Sequence, residues 1–114
     1  CDVTFDGYVA PSVLQVPGAK EQTVEFMSFS KSFNMAGWRL GAAVGSAEAL
    51  KQLLKVKSNV DSGHFRSIYD AGIAAIDYTE SEWFAERNQM YERRRDMLLE
   101  ALPEIGLSAQ PSIG

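Results

Sequence analysis

The chain has 114 residues, of which 46% are hydrophobic and 11% aromatic, a globular composition long enough to bury a core. Eleven Lys and Arg against fifteen Asp and Glu give a net charge of -4, which argues against a general binder of nucleic acid or anionic membrane. One cysteine, Cys1, permits no internal disulfide, and with His64 as the single histidine the sequence argues against a Cys/His zinc site.

Residues 1–22 carry the turn Asp6-Gly7 and two prolines between Val9 and Pro17, and predict loop with at most a short extended piece. Thr23–Ser30 places Val24, Phe26, Met27 and Phe29 on both faces, which predicts a strand buried between layers, as in a mostly parallel sheet. A six-residue loop, Phe33–Trp38, leads to a second predicted strand, Arg39–Gly45, whose small residues allow a neighbour to approach closely. Ser46 caps the next predicted helix, with Glu48 in its first turn and Leu50, Leu53, Leu54 and Lys57 along one face; Asn59–Gly63 breaks it. Phe65–Asp77 predicts a second helix with a narrow face of Ile68, Ala71, Gly72, Ala75 and Ile76. Thr79 and Glu82 read as a capping box opening a long amphipathic helix that ends at Leu102-Pro103, and Leu107-Ser108-Ala109 reads as the start of a further strand.

The chemistry concentrates in Ser28-x-Ser30-Lys31 and Gly37-x-Arg39-x-Gly41. A lysine just past a strand end stands where ligands of open α/β sheets bind. A desolvated amine beside other cations is a nucleophile toward aldehydes. The hydroxyls of Ser28 and Ser30 and the guanidinium of Arg39 supply donors for a phosphate. An aldehyde that carries a phosphate needs both an amine and an anion pocket, and pyridoxal 5′-phosphate is such a cofactor. Taken singly, each part has an ordinary explanation: a solvated lysine, a Ser-rich turn, a strand of small residues.

The same residues, at the same spacing, resemble the lysine motif of class I/II aminotransferases, the fold-type I pyridoxal-phosphate enzymes. Asp2 to Ser12, Gln15 to Lys20, Phe33-Asn34-Met35 with Gly37-Trp38-Arg39, Val56 to Gly63, and Tyr91 to Met97 are similar to the LL-diaminopimelate aminotransferase subgroup, so the likeness covers nearly the whole chain. The resemblance implies an α/β fold: residues 1–80 as the C-terminal part of the large cofactor domain with the end of its sheet, and 81–114 as the interdomain helix and the beginning of the small domain. It implies Lys31 as the residue that forms the Schiff base and then moves the substrate's α-proton, and Ser28, Ser30 and Arg39 as phosphate ligands. It implies amino-acid and 2-oxo-acid substrates, with LL-diaminopimelate and 2-oxoglutarate as the pair suggested by the subgroup, and a homodimer; no metal is expected, on the ligand count above. The aspartate for the pyridine nitrogen and its neighbouring tyrosine would precede Cys1, and the carboxylate-binding arginine would follow Gly114. The chain therefore reads as the central segment of a longer enzyme, inactive when isolated.

The motif leaves two alternatives open: another fold-type I enzyme, such as a lyase or decarboxylase, and a non-catalytic regulatory module of the same fold. No apolar run is long enough to span a bilayer and no signal sequence is evident, so a cytoplasmic location is expected. Among the remaining residues, Asp61-Ser62-Gly63 is expected near the substrate mouth. His64 is expected to be an exposed loop residue, and Trp38 to pack beneath its loop. Trp83, Phe84, Tyr91 and Met97 are expected to form a packing stripe, Arg93-Arg94-Arg95 a solvated face, and Cys1 to have no catalytic part.

Overall fold

A computed structural model describes residues 2–114; Cys1 lies outside them. The chain divides into two compact units, one of Pro11–Tyr78, the other joining the residues before Pro11 to Thr79–Gly114.

In the first unit, Ser12 opens a single 3-10 turn, Val13–Gln15, through a reciprocal pair of bonds with Gln15. Glu25 reaches back to this turn, accepting hydrogen bonds from Ser12 Oγ (2.7 Å) and the Val13 N–H (3.1 Å). Strand β1, Val24–Ser28, pairs antiparallel with β2, Gly41–Gly45, in a register that sets Ser28 opposite Gly41 and Val24 opposite Gly45. Among the described residues the sheet is this two-stranded antiparallel ribbon and Phe26 is 70% exposed, so within this chain β1 has neither a parallel neighbour nor cover on both faces. Both strands are shorter than the apolar pattern suggested. Ser28 turns its Oγ to the Ser30 N–H (3.2 Å) and becomes the cap of a single helical turn, α1, Phe29–Ser32. A side chain that bonds its own backbone in this way competes with the ladder and ends the strand.

The core of this unit is Phe29, Met35 and Leu40, with Phe33, Ala42, Ile68, Ala71 and Ala75 packed against it. Burying each large apolar side chain contributes roughly 1.5–3 kcal/mol. The Leu40 carbonyl accepts the Phe29 N–H (3.1 Å), and the Phe29 carbonyl accepts the N–H groups of Phe33 (3.1 Å) and Met35 (3.3 Å), so the loop between the strands folds over its own core. Helix α2, Ala47–Val60, starts at Ser46 as expected, with Ser46 Oγ accepting the Ala49 N–H (3.4 Å) and Glu48 in the first turn. It runs through Asn59, whose amide bonds the Lys55 carbonyl (2.7 Å) instead of breaking the helix. Helix α3, Arg66–Tyr78, lays Gly72 against Leu40.

In the second unit, α4, Ser81–Ala101, passes into a 3-10 turn, Leu102–Ile105, with Pro103 near its start. The expected Thr79–Glu82 capping box does not form: Glu80 is the N-cap, extended and without a side-chain cap bond. Leu107–Ala109 is not a strand. Trp83, Phe84 and Tyr91 are half-buried, but Met97 and Leu98 are exposed, so the packing stripe stops short of the helix end. The arginine run is also divided. Arg93 and Arg94 face solvent, while Arg95 turns inward and binds Asp6 and the Ser112 carbonyl. Among the described residues no helix is long and apolar enough to cross a membrane.

Candidate functional site

The turn between β1 and β2 gathers the residues singled out by their chemistry. Ser28 ends β1, Ser30 and Lys31 follow on α1, and Arg39 comes immediately before Leu40, whose carbonyl closes the turn. Arg39 Nη1 donates to the Ala36 carbonyl (2.9 Å) and lies 3.5 Å from Ser30 Oγ. Hydrogen bonds thus link Ser28 to Ser30 and Ser30 to Arg39, while Ser32 Oγ donates back to the Ser28 carbonyl (3.3 Å). Lys31 is exposed on the same turn, not desolvated as the nucleophile argument supposed.

The backbone that carries Arg39 is unusual. Its φ and ψ are 54° and 38°, the left-handed region, at the end of the 3-10 turn Ala36–Trp38. Asn34, five residues earlier, also has a φ of 54°. Asparagine tolerates that conformation; for arginine it is uncommon, and such outliers concentrate where a side chain must be aimed. Leu40, buried directly after it, holds the turn down on the core. The left-handed backbone at Arg39 had no sequence signal, since glycine is the usual residue there and the glycines stand two residues away on either side.

An amine, two hydroxyls and a guanidinium on one short exposed turn are the donor set that an aldehyde-bearing phosphate requires, and the residues present fit pyridoxal 5′-phosphate in that respect. Ser30 and Arg39 are already within 3.5 Å of each other, so one phosphate can be held by both. Among the described residues there is no cluster of three or more His, Cys, Asp or Glu side chains able to hold a metal ion.

The loop after α2 is organised internally. Asp61 Oδ1 accepts from Lys57 Nζ (2.6 Å) and from the Gly63 N–H (2.9 Å), and these donors hold its carboxyl below the ordinary aspartate range, the lysine contributing most. His64 is exposed, with its N–H on Tyr69 Oη (3.0 Å) and its ring edge-on to Tyr69 at 5.6 Å. Trp38 is 46% exposed and does not sit beneath its loop as expected. Glu25, which ties the Ser12 turn to β1, is a further polar link with no signal in the sequence, because its partners lie twelve and thirteen residues away.

Comparison with known proteins places likenesses along nearly the whole chain. The profile of aminotransferase class I and II matches residues 1–114. LL-diaminopimelate aminotransferase of Moorella thermoacetica is 49% identical over 105 residues, which are 92% of this chain and 27% of that protein. The solved structure of a probable N-succinyldiaminopimelate aminotransferase from Thermus thermophilus superposes with a TM-score of 0.82 at 41% identity, covering 90% of this chain and 27% of that one. The aspartate aminotransferase of Rhizobium meliloti superposes with a TM-score of 0.88 at 29% identity, covering 99% and 28%. The chain thus spans about a quarter of the length of the relatives it matches. With its full length matched by the family profile and its fold shared with solved members, the chain belongs to the aminotransferase class I and II family.

Proposed function

We propose that these residues supply the cofactor-anchoring part of a pyridoxal-phosphate aminotransferase that moves an amino group between an amino acid and a 2-oxo acid. The observation that carries this reading is the bonded set Ser28, Ser30 and Arg39 on the turn that also bears Lys31. Arg39 and Ser30 would hold the cofactor's phosphate, with Ser28 beside them, and Lys31 Nζ would hold its aldehyde carbon. When bound, the cofactor withdraws electrons from the substrate's α-carbon and so stabilises the carbanion left by deprotonation. Lys31 would then be the group that takes the α-proton and returns it, a role that its exposure on the turn supports.

The substrate pair we favour is LL-diaminopimelate with 2-oxoglutarate, supported by 49% identity to a protein of that name. Aspartate as donor is the second reading, supported by the structural likeness to an aspartate aminotransferase. We assign residues 1–80 to the large cofactor domain and 81–114 to the interdomain helix and the small domain. We assign the active protein to a cytoplasmic homodimer.

Borohydride reduction of the protein with bound cofactor, followed by peptide mapping, tests the central assignment. Label is expected on Lys31, and Lys31→Ala should lose both label and transamination. Label on another lysine, or turnover by Lys31→Ala, would overturn it. Initial rates with LL-diaminopimelate and with aspartate decide between the two donors.

A further inference from the structure

Two arginines eight residues apart on α4 grip the segment 2–6. The Arg87 side chain is 1% exposed, its guanidinium lying 5.3 Å from the Trp83 ring centre and 5.2 Å from that of Phe84. Its shortest bond to the segment goes to main chain: Nη2 donates to the Asp2 carbonyl at 2.8 Å, while Nη1 lies 3.4 Å from Asp2 Oδ2. Asn88 Nδ2 donates to the same carbonyl at 2.8 Å. The Arg95 side chain is 13% exposed and binds by carboxylate. Nη1 and Nη2 fork onto Asp6 Oδ2 (2.7 Å) and Oδ1 (3.3 Å), and the guanidinium lies 5.0 Å from the ring centre of buried Phe5. Arg95 Nη1 also donates to the Ser112 carbonyl (2.7 Å), the Asp6 N–H donates to Glu92 Oε1 (2.7 Å), and the Phe5 N–H to the Ile113 carbonyl (3.0 Å).

The spacing is matched. Eight residues of helix rise about 12 Å, and four steps of extended chain reach about 13 Å. The segment can therefore run beside α4 in the same direction, with an anchor at each end. Phe5 is its one buried apolar side chain, so polar bonds do most of the holding. The anchors differ in how solvent reaches them. Arg87 is buried and holds the Asp2 carbonyl, a neutral acceptor, more closely than its ion pair with Asp2 Oδ2 (3.4 Å); the shorter pair of Arg95 with Asp6 rests on a side chain 56% exposed and is the more open to screening.

We propose that residues 2–6 are an ionic strap on α4 that opens from its Asp6 end, with Arg95 as a detachable latch for both the strap and residues 112–113, and Arg87 as the fixed anchor. The Phe5 and Asp6 amides report directly on the latch, because their acceptors are the Ile113 carbonyl and Glu92 of α4.

Amide hydrogen exchange of the protein, resolved residue by residue by NMR, tests this. Raising salt to about 0.5 M, or introducing Asp6→Asn, should speed exchange at Phe5 and Asp6 about fivefold. Neither change should move the amides of Trp83–Asn88, and Asp2→Asn should change little, because the shortest bond from Arg87 is to the carbonyl. Arg95→Gln should speed exchange at Phe5 and Asp6 at least as much as Asp6→Asn, since it also loses the Ser112 carbonyl, and the double variant should gain nothing over Arg95→Gln. Should Arg95→Gln unfold the chain, seen as fast exchange throughout β1, the Asp6→Asn result decides. Exchange at Phe5 and Asp6 within twofold of the parent in Asp6→Asn would overturn the latch. Equal loosening around Arg87 in salt would overturn the order of opening.

Discussion

Gly72→Ala tests whether the turn that carries the candidate site is held down by close packing. Gly72 is buried in α3 against the loop core, and a Cβ there would stand 2.4 Å from Leu40 Cδ2, 3.6 Å from Phe29 Cε1 and 3.7 Å from Leu40 Cγ. Two effects oppose each other. Alanine favours a helix over glycine by about 0.8–1.0 kcal/mol. Against this, Leu40 must retreat by about 1 Å to restore an ordinary carbon contact. It is one of the three buried residues of that core, where overpacking costs about 1–3 kcal/mol. The clash wins, and Gly72→Ala should lose about 1 kcal/mol net. Leu40→Val removes the offending methyl and alone should cost about 1 kcal/mol through the space it leaves. Combined, the two changes should cost less than their sum by about 1 kcal/mol, since the new methyl fills that space. Urea denaturation followed by far-UV circular dichroism, on the parent, both single variants and the double, measures the cycle. A Gly72→Ala chain that is more stable than the parent would refute the reasoning, as would a cost unchanged in the Leu40→Val background.

Gly45→Ala should be worse, because a Cβ there would stand 2.2 Å from the Thr23 carbonyl oxygen and φ is 138°, so backbone must move. Strain of about 1–3 kcal/mol should appear in the same denaturation assay, with loss of the Ser46 N–H bond to Thr23 (2.8 Å) visible as faster exchange at Ser46; parental stability would contradict it. Asp6 and Asp61 are held below the ordinary aspartate range, chiefly by hydrogen bonds from Arg95 and Lys57 respectively. A carboxyl depressed in the folded state stabilises it above the ordinary value and loses that contribution as pH falls through the folded value. Acid sensitivity from these two groups therefore lies below about pH 3.9. Carboxyl titration by NMR checks it, and a midpoint for either residue at or above the ordinary value would contradict the pairing.

The elements set by local signals were legible. Ser46 with Glu48 marks the start of α2, small residues at helical spacing mark α3, and Leu102-Pro103 marks the end of α4. The chemistry of the turn was equally open, because Ser28, Ser30, Lys31 and Arg39 lie within twelve residues of sequence. What could not be read depends on partners far along the chain or on local competition. Arg93, Arg94 and Arg95 form one charge run in sequence, yet each helical step turns about 100°, and only Arg95 meets Asp6, 89 residues away. Thr79 and Glu82 have the spacing of a capping box, but Glu80 takes the cap position in extended conformation. Apolar pattern set the centre of β1 correctly and its end wrongly, because hydropathy does not register a serine that bonds the turn ahead.

Arg39 is the residue at which fold and proposed chemistry pull apart, and the pull can be measured. Its left-handed backbone costs an L-residue roughly 1–2 kcal/mol, while its guanidinium bonds the Ala36 carbonyl and approaches Ser30. Arg39→Ala and Arg39→Gly both delete the guanidinium, so their difference isolates the backbone. Glycine should be the more stable of the two by about 1 kcal/mol. Both should lose affinity for pyridoxal 5′-phosphate while binding pyridoxal, which lacks the phosphate, as the parent does. Thermal melts give the first comparison and absorbance titrations the second. Equal stability of the two variants would mean that the turn relaxes out of the left-handed region once the guanidinium is gone, so that the side chain's bonds hold the backbone there. Unchanged affinity for the phosphorylated cofactor would remove Arg39 from the phosphate site, and with it the main charge that the anchoring role requires.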